Sequence, residues 1–273
     1  MGANRRRGIG HSTNLLGFPT EWLASCAFNN DPVPLHIWGV REMNPSLFDM
    51  LAQAADLADA GEAFTCYMMA MFGIDPEQRE GARLGAGQRR YRSSFLQLIQ
   101  GWGFDSNGPQ GAVLKGWVES RFGIGPSFHK EVIERVSTRA WTTYVEEKMS
   151  SRFHNNAIYV QLDLLFEFCQ WAIQRFAYPG QTHLTLFRGI NALDEHQIVE
   201  RMDKRHAVIQ LNNLVSFSSD RGIASCFGDS ILTARVPVSK ILFFNRLLSS
   251  HPLQGEGEYL VIGGDCRVMV EYV

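Results

Sequence analysis

The feature that most constrains the fold is a change in the spacing of apolar residues at the turn Tyr178-Pro179-Gly180. Before this turn, apolar residues recur at intervals of three and four, which is the spacing of helices that bury one face. After it, they alternate with polar residues and include many β-branched and aromatic side chains, as in half-buried strands. Short strands with little helix between them favour an α+β protein whose strands pair mainly antiparallel.

The chain before this turn is predicted to be mostly helical. Pro45 follows Asn44 at a favourable start position, and Gly61 is expected to interrupt the pattern before a second helix that ends at Gly73. Further helices are predicted at residues 93–102, 112–122, 130–148 and 158–176. Five tryptophans are assigned to the core or to contacts between helices: Trp38, Trp102, Trp117, Trp141 and Trp171.

After the turn, period-two alternation predicts six strands, at residues 182–188, 211–218, 231–236, 240–244, 256–262 and 267–272. Helical stretches are expected at about 194–204 and 221–227. We assign residues 1–150 to a helical N-terminal region and residues 151–273 to a sheet-containing core. The chain of 273 residues is 45% hydrophobic, enough to bury a large core, and we expect the two parts to form one compact unit.

Composition excludes several classes of function. The net charge of −2 gives no sign of a nucleic-acid or lipid-binding protein, and no apolar run reaches the roughly 18–20 residues that span a bilayer. The cysteines form no CxxC pattern and the histidines no HExxH pattern, so neither a zinc site nor another metal site is expected. Scattered, unpaired cysteines are typical of buried thiols in a reducing compartment, which predicts a cytoplasmic protein.

Three predicted strands carry polar residues at their ends, on the face that is otherwise apolar. These residues are Arg188 in the first strand, Ser216 and Ser218 in the second, and Glu256 and Glu258 in the fifth. A buried charge without a partner costs several kcal/mol. The spacing alone leaves two explanations: a structural ion pair between Arg188 and a glutamate, or a cleft that binds a polar ligand.

With their neighbours, these residues resemble a known family. The segments FRG at 187–189, SFS at 216–218 and EGE at 256–258 resemble, in order and in approximate spacing, the Arg–Ser–Glu signature of mono-ADP-ribosyltransferases. Phe217 stands where that family usually has threonine, which leaves the alignment of Ser216 against Ser218 open by one step. Nearly the whole chain also resembles a narrower family, the dinitrogenase reductase ADP-ribosyltransferases, in GHSTNL at 10–15, IWGVR at 37–41 and LFRG at 186–189.

The resemblance implies a two-sheet ADP-ribosyltransferase core on which the helical N-terminal half packs. It implies that the bond between nicotinamide and ribose in NAD is cleaved and that ADP-ribose passes to an arginine of dinitrogenase reductase, which stops nitrogenase activity. NAD is then a consumed substrate, and a PII-type signalling protein is an expected partner. Two alternatives stay open: an NAD glycohydrolase that uses water as acceptor, and a binding module whose Arg–Glu cluster is structural.

The resemblance also implies roles for individual residues. Glu258 corresponds to the catalytic glutamate, which stabilises positive charge on the ribose, and Glu256 to the carboxylate that receives the acceptor guanidinium. Ser216 is expected to orient Glu258 or the nicotinamide ribose, and Arg188 to contact the pyrophosphate. The residues expected to bind NAD are Arg188, Gly189, Ser216, Ser218 and Phe227.

Overall fold

The computed structural model describes residues 14–74, 93–191, 197–249 and 257–272, and within these ranges the chain has an α+β fold. Its ten α-helices are α1 (Thr20–Leu23), α2 (Cys26–Asn30), α3 (Val40–Met43), α4 (Pro45–Ala52), α5 (Leu57–Phe72), α6 (Phe95–Phe104), α7 (Pro109–Phe122), α8 (Arg139–Lys148), α9 (Ile158–Ala172) and α10 (Arg221–Ser225). None of them has the length and apolarity that crossing a bilayer requires.

The ends of the longer helices follow local capping rules. Asp56 begins α5 by accepting a hydrogen bond from the amide of Asp59, and Gly73 ends it with a φ of 60°. Ser94 caps α6 in the same way through the amide of Gln97. Pro109 occupies the first turn of α7, a position where its missing N–H has no helical partner to lose. The predicted helix end at Gly73 is therefore confirmed.

Two helix predictions in the part of the chain before Tyr178 are wrong, one because of a close approach by a distant segment and one because of a local turn. Gly61 does not interrupt α5: a Cβ there would lie 2.9 Å from the carbonyl oxygen of Leu247, so the glycine lets the helix pass close to another segment. The helix expected from residue 130 begins only at Arg139, because Lys130 has a φ of 61° and forms the turn of a small hairpin. The hairpin strands are β1 (Phe128–His129) and β2 (Glu131–Val132).

The main sheet has six strands: β3 (His183–Ile190), β4 (Ile198–Arg201), β5 (His206–Ser218), β6 (Ser230–Pro237), β7 (Ile241–Phe244) and β8 (Glu258–Tyr272). Their order is β4-β5-β3-β6-β8-β7, and every pairing is antiparallel. The helix expected at about 194–204 is wrong where the chain is described, because residues 198–201 form β4 and pair with β5. The predicted helix at 221–227 is found as α10.

The two strands predicted at 256–262 and 267–272 are one continuous strand, β8. The glycines between them permit close packing instead of ending the strand: a Cβ at Gly263 would lie 1.8 Å from the carbonyl oxygen of Asn212, and one at Gly264 would lie 2.5 Å from that of Ala24. Extended structure begins at Glu258, since Gly257 lies in a turn with a φ of 56°. The predicted start at Glu256 lies outside the described residues.

Four strands of the main sheet, β3, β5, β6 and β8, pair with one another in a closed ring. β8 pairs with β5 along its length and with β6 near its end, β6 pairs with β3 throughout, and β3 reaches β5 at the pair Phe187↔Ser218. Ser218 is at the same time opposite Glu258. The carboxyl ends of β3 and β5 therefore meet the amino end of β8 at one edge.

One hydrophobic cluster contains residues of both the helical region and the sheet. The helix α9 connects the two parts of this cluster. The ring of its Phe168 stacks on that of Phe64 in α5, with the ring centres 4.3 Å apart, and the thiol of its Cys169 donates to the carbonyl oxygen of Ile241 in β7. Not every expected core residue is inside. Trp38 is 74% exposed, and two thiols that were expected to be buried, Cys66 and Cys226, lie at the surface.

Candidate active site

The edge where the three strands meet brings together three of the predicted site residues. Arg188 lies near the end of β3, Ser216 near the end of β5 and Glu258 at the start of β8. The hydroxyl of Ser216 donates to Oε1 of Glu258 at 2.5 Å, across the two paired strands. Nη1 of Arg188 donates to the backbone carbonyl oxygen of Ser216 at 2.7 Å. Ser216 thus contacts both charged groups.

The charges of this cluster influence each other. Burial lowers the pKa of Arg188 from its usual value, and the attraction of Glu258 acts in the opposite direction. Glu258 itself is 9% exposed. A carboxylate in such surroundings is poorly screened by water, so it acts strongly on any charge that forms beside it.

The geometry distinguishes the two serines whose alignment the sequence leaves open. The oxygen of Ser218 accepts a hydrogen bond from the amide of Asp220 at 3.0 Å, at the turn that leads into α10. Asp220 in turn caps this helix through the amides of Gly222 and Ile223. Ser216, in contrast, directs its hydroxyl to Glu258, and Phe217 between the two serines is buried in the hydrophobic core. Ser216 is therefore the partner of the carboxylate.

A cavity of about 410 Å³ opens over these residues. Its lining includes Arg188, Gly189, Ser216, Ser218 and Glu258 from the strand ends, together with Ile223, Ala224 and Phe227 in and after α10. Phe227 is 60% exposed. All the predicted site residues in the described ranges thus line one cavity, whereas Glu256 lies outside those ranges.

Two glycines of the sequence motifs are required by the shape of this edge. A Cβ at Gly189 would lie 2.0 Å from the carbonyl oxygen of Ala224, so β3 and α10 approach here more closely than a side chain at this position would allow. Gly257 has a φ of 56°, a left-handed conformation that side chains disfavour, and its carbonyl oxygen accepts from the amide of Ser219 at 3.0 Å. This turn sets the direction in which the chain enters β8 at Glu258.

Part of the cavity wall comes from the helical region, which the sequence did not indicate. The residues are Trp102, Gly103, Phe104, Asp105 and Ser106, at the end of α6 and in the turn after it. Phe104 is 84% exposed, and the indole Nε1 of Trp102 donates to the hydroxyl oxygen of Ser216 at 2.8 Å. Residues 105–109 have turn composition, but no local pattern shows which strand they face.

The cavity has the groups to stabilise a forming cation and to hold an anion. A carboxylate held by a hydroxyl lies in a partly apolar wall, and a guanidinium with its planar set of N–H donors lies beside it. Within the described residues, no group of three or more His, Cys, Asp and Glu side chains is placed to hold a metal ion.

Comparisons with known proteins agree on one family. Residues 13–270 match the family model described as "Dinitrogenase reductase ADP-ribosyltransferase (DRAT)". The chain is 63% identical over 269 residues to the NAD(+)--dinitrogen-reductase ADP-D-ribosyltransferase of Rhodospirillum rubrum, and the match covers 98% of each chain. No solved structure matches the chain. With a family model over most of its length and a relative of this identity, the chain belongs to the dinitrogenase reductase ADP-ribosyltransferase family.

Proposed function

We propose that this protein transfers ADP-ribose from NAD to an arginine side chain of dinitrogenase reductase, and so regulates nitrogen fixation in the cytoplasm. Family membership supports the reaction and the protein substrate. The observation that carries the proposal is the contact of Ser216 with Glu258 and Arg188 in one cavity. The closed ring of strand pairs among β3, β5, β6 and β8 is consistent with a two-sheet ADP-ribosyltransferase core.

Glu258 is the proposed catalytic residue. Nicotinamide leaves NAD as a neutral molecule from a cationic ring, so its departure needs no general acid. Positive charge develops instead on the ribose, and a poorly screened carboxylate that accepts from a ribose hydroxyl stabilises this charge. The hydroxyl of Ser216 holds Oε1 of Glu258 in place, which avoids reorganising the carboxylate during the reaction.

Arg188 and Phe227 are proposed to hold NAD. A guanidinium carries five N–H donors, more than the one bond to Ser216 uses, and it suits the paired oxygens of a pyrophosphate. Phe227 offers an exposed ring at the cavity, to which a flat heterocycle such as nicotinamide can pack. Gly189 allows α10 and Phe227 to lie this close to β3, because a side chain at position 189 would displace α10.

Glu256 is proposed to receive the acceptor arginine. It stands two residues before Glu258, and a carboxylate matches the fork of a guanidinium. The two glutamates would thus divide the reaction: Glu258 serves the ribose and Glu256 the incoming side chain. A PII-type protein is a proposed regulatory partner, on the family resemblance.

The test is incubation of the protein with dinitrogenase reductase and NAD labelled in its adenylate part. Label on an arginine of the reductase supports the transfer. Free ADP-ribose without labelled reductase indicates an NAD glycohydrolase, and neither product indicates a binding module. Reductase in which the labelled arginine is replaced by lysine is the matched control, because lysine keeps the charge and lacks the guanidinium.

A further inference from the structure

A tryptophan of the helical region contacts one of the site residues at the strand ends. Trp102 lies in α6, is 4% exposed, and donates its indole N–H to Oγ of Ser216 at 2.8 Å, across 114 residues of sequence. The same oxygen lies 2.5 Å from Oε1 of Glu258. Three polar groups therefore form a short chain: indole, hydroxyl and carboxylate.

The direction of this chain follows from what each group can do. An indole N–H can only donate, and an ionised carboxylate can only accept, whereas a hydroxyl does both. Ser216 accepts from Trp102, so it keeps its single proton for Glu258. Without the indole, the hydroxyl could rotate and donate elsewhere, as hydroxyl rotors do in open clefts.

The position of the Trp102 indole is fixed in turn by Lys115. Nζ of Lys115, a buried residue of α7, lies 5.9 Å from the centre of the Trp102 ring, within the range of a cation–π contact. The same amine donates to Oδ1 of Asn107 at 2.8 Å and to the carbonyl oxygen of Phe128 at 3.1 Å. Lys115 therefore ties the turn after α6 and the β1–β2 hairpin to α7, and this fixes where the ring lies.

We propose that Trp102 is a positioning residue for ADP-ribose transfer, whose indole N–H sets the Ser216 hydroxyl to donate to Glu258. The inference rests on the proposed function of this site. It gives the helical region a part in the reaction, because one of its side chains completes the hydrogen-bond chain that ends at the carboxylate. Trp102 acts through Ser216 and need not touch NAD.

The experiment is the variant Trp102→Phe, which keeps an aromatic ring and removes the N–H. We expect kcat to fall about 10-fold for both NAD hydrolysis and transfer, while KM for NAD changes less than about twofold. The acid limb of the pH–rate profile should move to higher pH, because a hydroxyl that donates to a carboxylate favours its ionised form.

The matched control is Trp117→Phe. Trp117 is also buried, and its indole N–H also donates to a side-chain oxygen, here Oδ1 of the Asp163 carboxylate, at 2.7 Å. This variant should lower the melting temperature without moving the pH–rate profile. Where Trp102→Phe fails to fold, benzothienylalanine at position 102 replaces the N–H by sulfur at nearly the same volume.

A double-mutant cycle separates positioning from general packing. In the Ser216→Ala background, Trp102→Phe should have little further effect on kcat, because its target hydroxyl is gone. Wild-type kcat and pH profile in Trp102→Phe, or an equal loss in Trp117→Phe, would overturn the positioning role. Wild-type protein that neither transfers nor hydrolyses would instead overturn the proposed function.

Discussion

Replacement of Glu258 by glutamine tests the chemistry with the least change in shape. Glutamine keeps a carbonyl oxygen that can accept from Ser216, which lies 2.5 Å from Oε1 in the wild type, so the side chain should stay in place. The negative charge is lost. Loss of one preorganised stabilising group at a developing charge typically lowers kcat about 100- to 1000-fold, and we expect this for both transfer and NAD hydrolysis.

Stability should respond differently from activity. Glu258 is 9% exposed, so the folded protein holds a carboxylate that water solvates poorly, and the neutral amide removes this cost. The amide also removes the negative charge that offsets the burial of Arg188, so the two effects oppose each other and we expect the melting temperature of Glu258→Gln to stay close to that of the wild type. Thermal unfolding followed by circular dichroism, and rates measured with labelled NAD, give the two quantities on the same preparation.

The variant Glu256→Gln is the control that shows whether the two glutamates have different roles. This variant should keep NAD hydrolysis and lose transfer to arginine, because Glu256 is proposed to serve only the acceptor. If both variants lost both activities to the same degree, the proposed division between the two glutamates would be wrong. If Glu258→Gln retained more than about a tenth of wild-type kcat, the carboxylate would not be the main stabilising group.

Three further predictions concern binding, packing and pH. Arg188→Ala should weaken NAD binding about 10- to 100-fold in a calorimetric titration, the usual effect of losing charged hydrogen bonds; an unchanged affinity would remove Arg188 from the NAD site. Gly189→Ala should lower the free energy of unfolding by about 1–3 kcal/mol in urea, because its Cβ would meet Ala224 at 2.0 Å; wild-type stability would show that α10 can move aside. Burial lowers the pKa of Lys115 to about 7, against the attraction of Asp105 and Glu147, so the folded protein releases this proton at lower pH than the unfolded chain. Relative to Lys115→Met, wild-type stability should therefore rise with pH from about 7 to about 10.5, and a difference that is constant with pH would contradict this.

The strands of the site could be predicted because their signal is local. Alternation of apolar and polar residues locates β3 and the parts of β5 and β8 that lie at the site, and the polar residues there break that alternation on the apolar side. The close placement of Arg188, Ser216 and Glu258 then follows from strand pairing, which the family resemblance supplied. Because successive strand residues point to opposite faces of the sheet, the sequence position of each of these residues is enough to choose the face on which it lies.

What the sequence did not show depends on distant partners. Gly61 and Gly263 look like breaks, yet each lies inside a regular element because another backbone passes where a side chain would be. Residues 198–201 form a strand because β5 pairs with them. Trp102 looked like an ordinary core residue, since nothing near it in the sequence indicates that its indole N–H meets Ser216.

The most direct test of the central claim is a crystal structure of the Glu258→Gln variant with NAD bound. We expect the nicotinamide ribose within about 2.6–3.2 Å of the side chain at position 258, and the pyrophosphate in contact with Arg188. NAD bound outside the cavity, or a ribose turned away from position 258, would contradict the account.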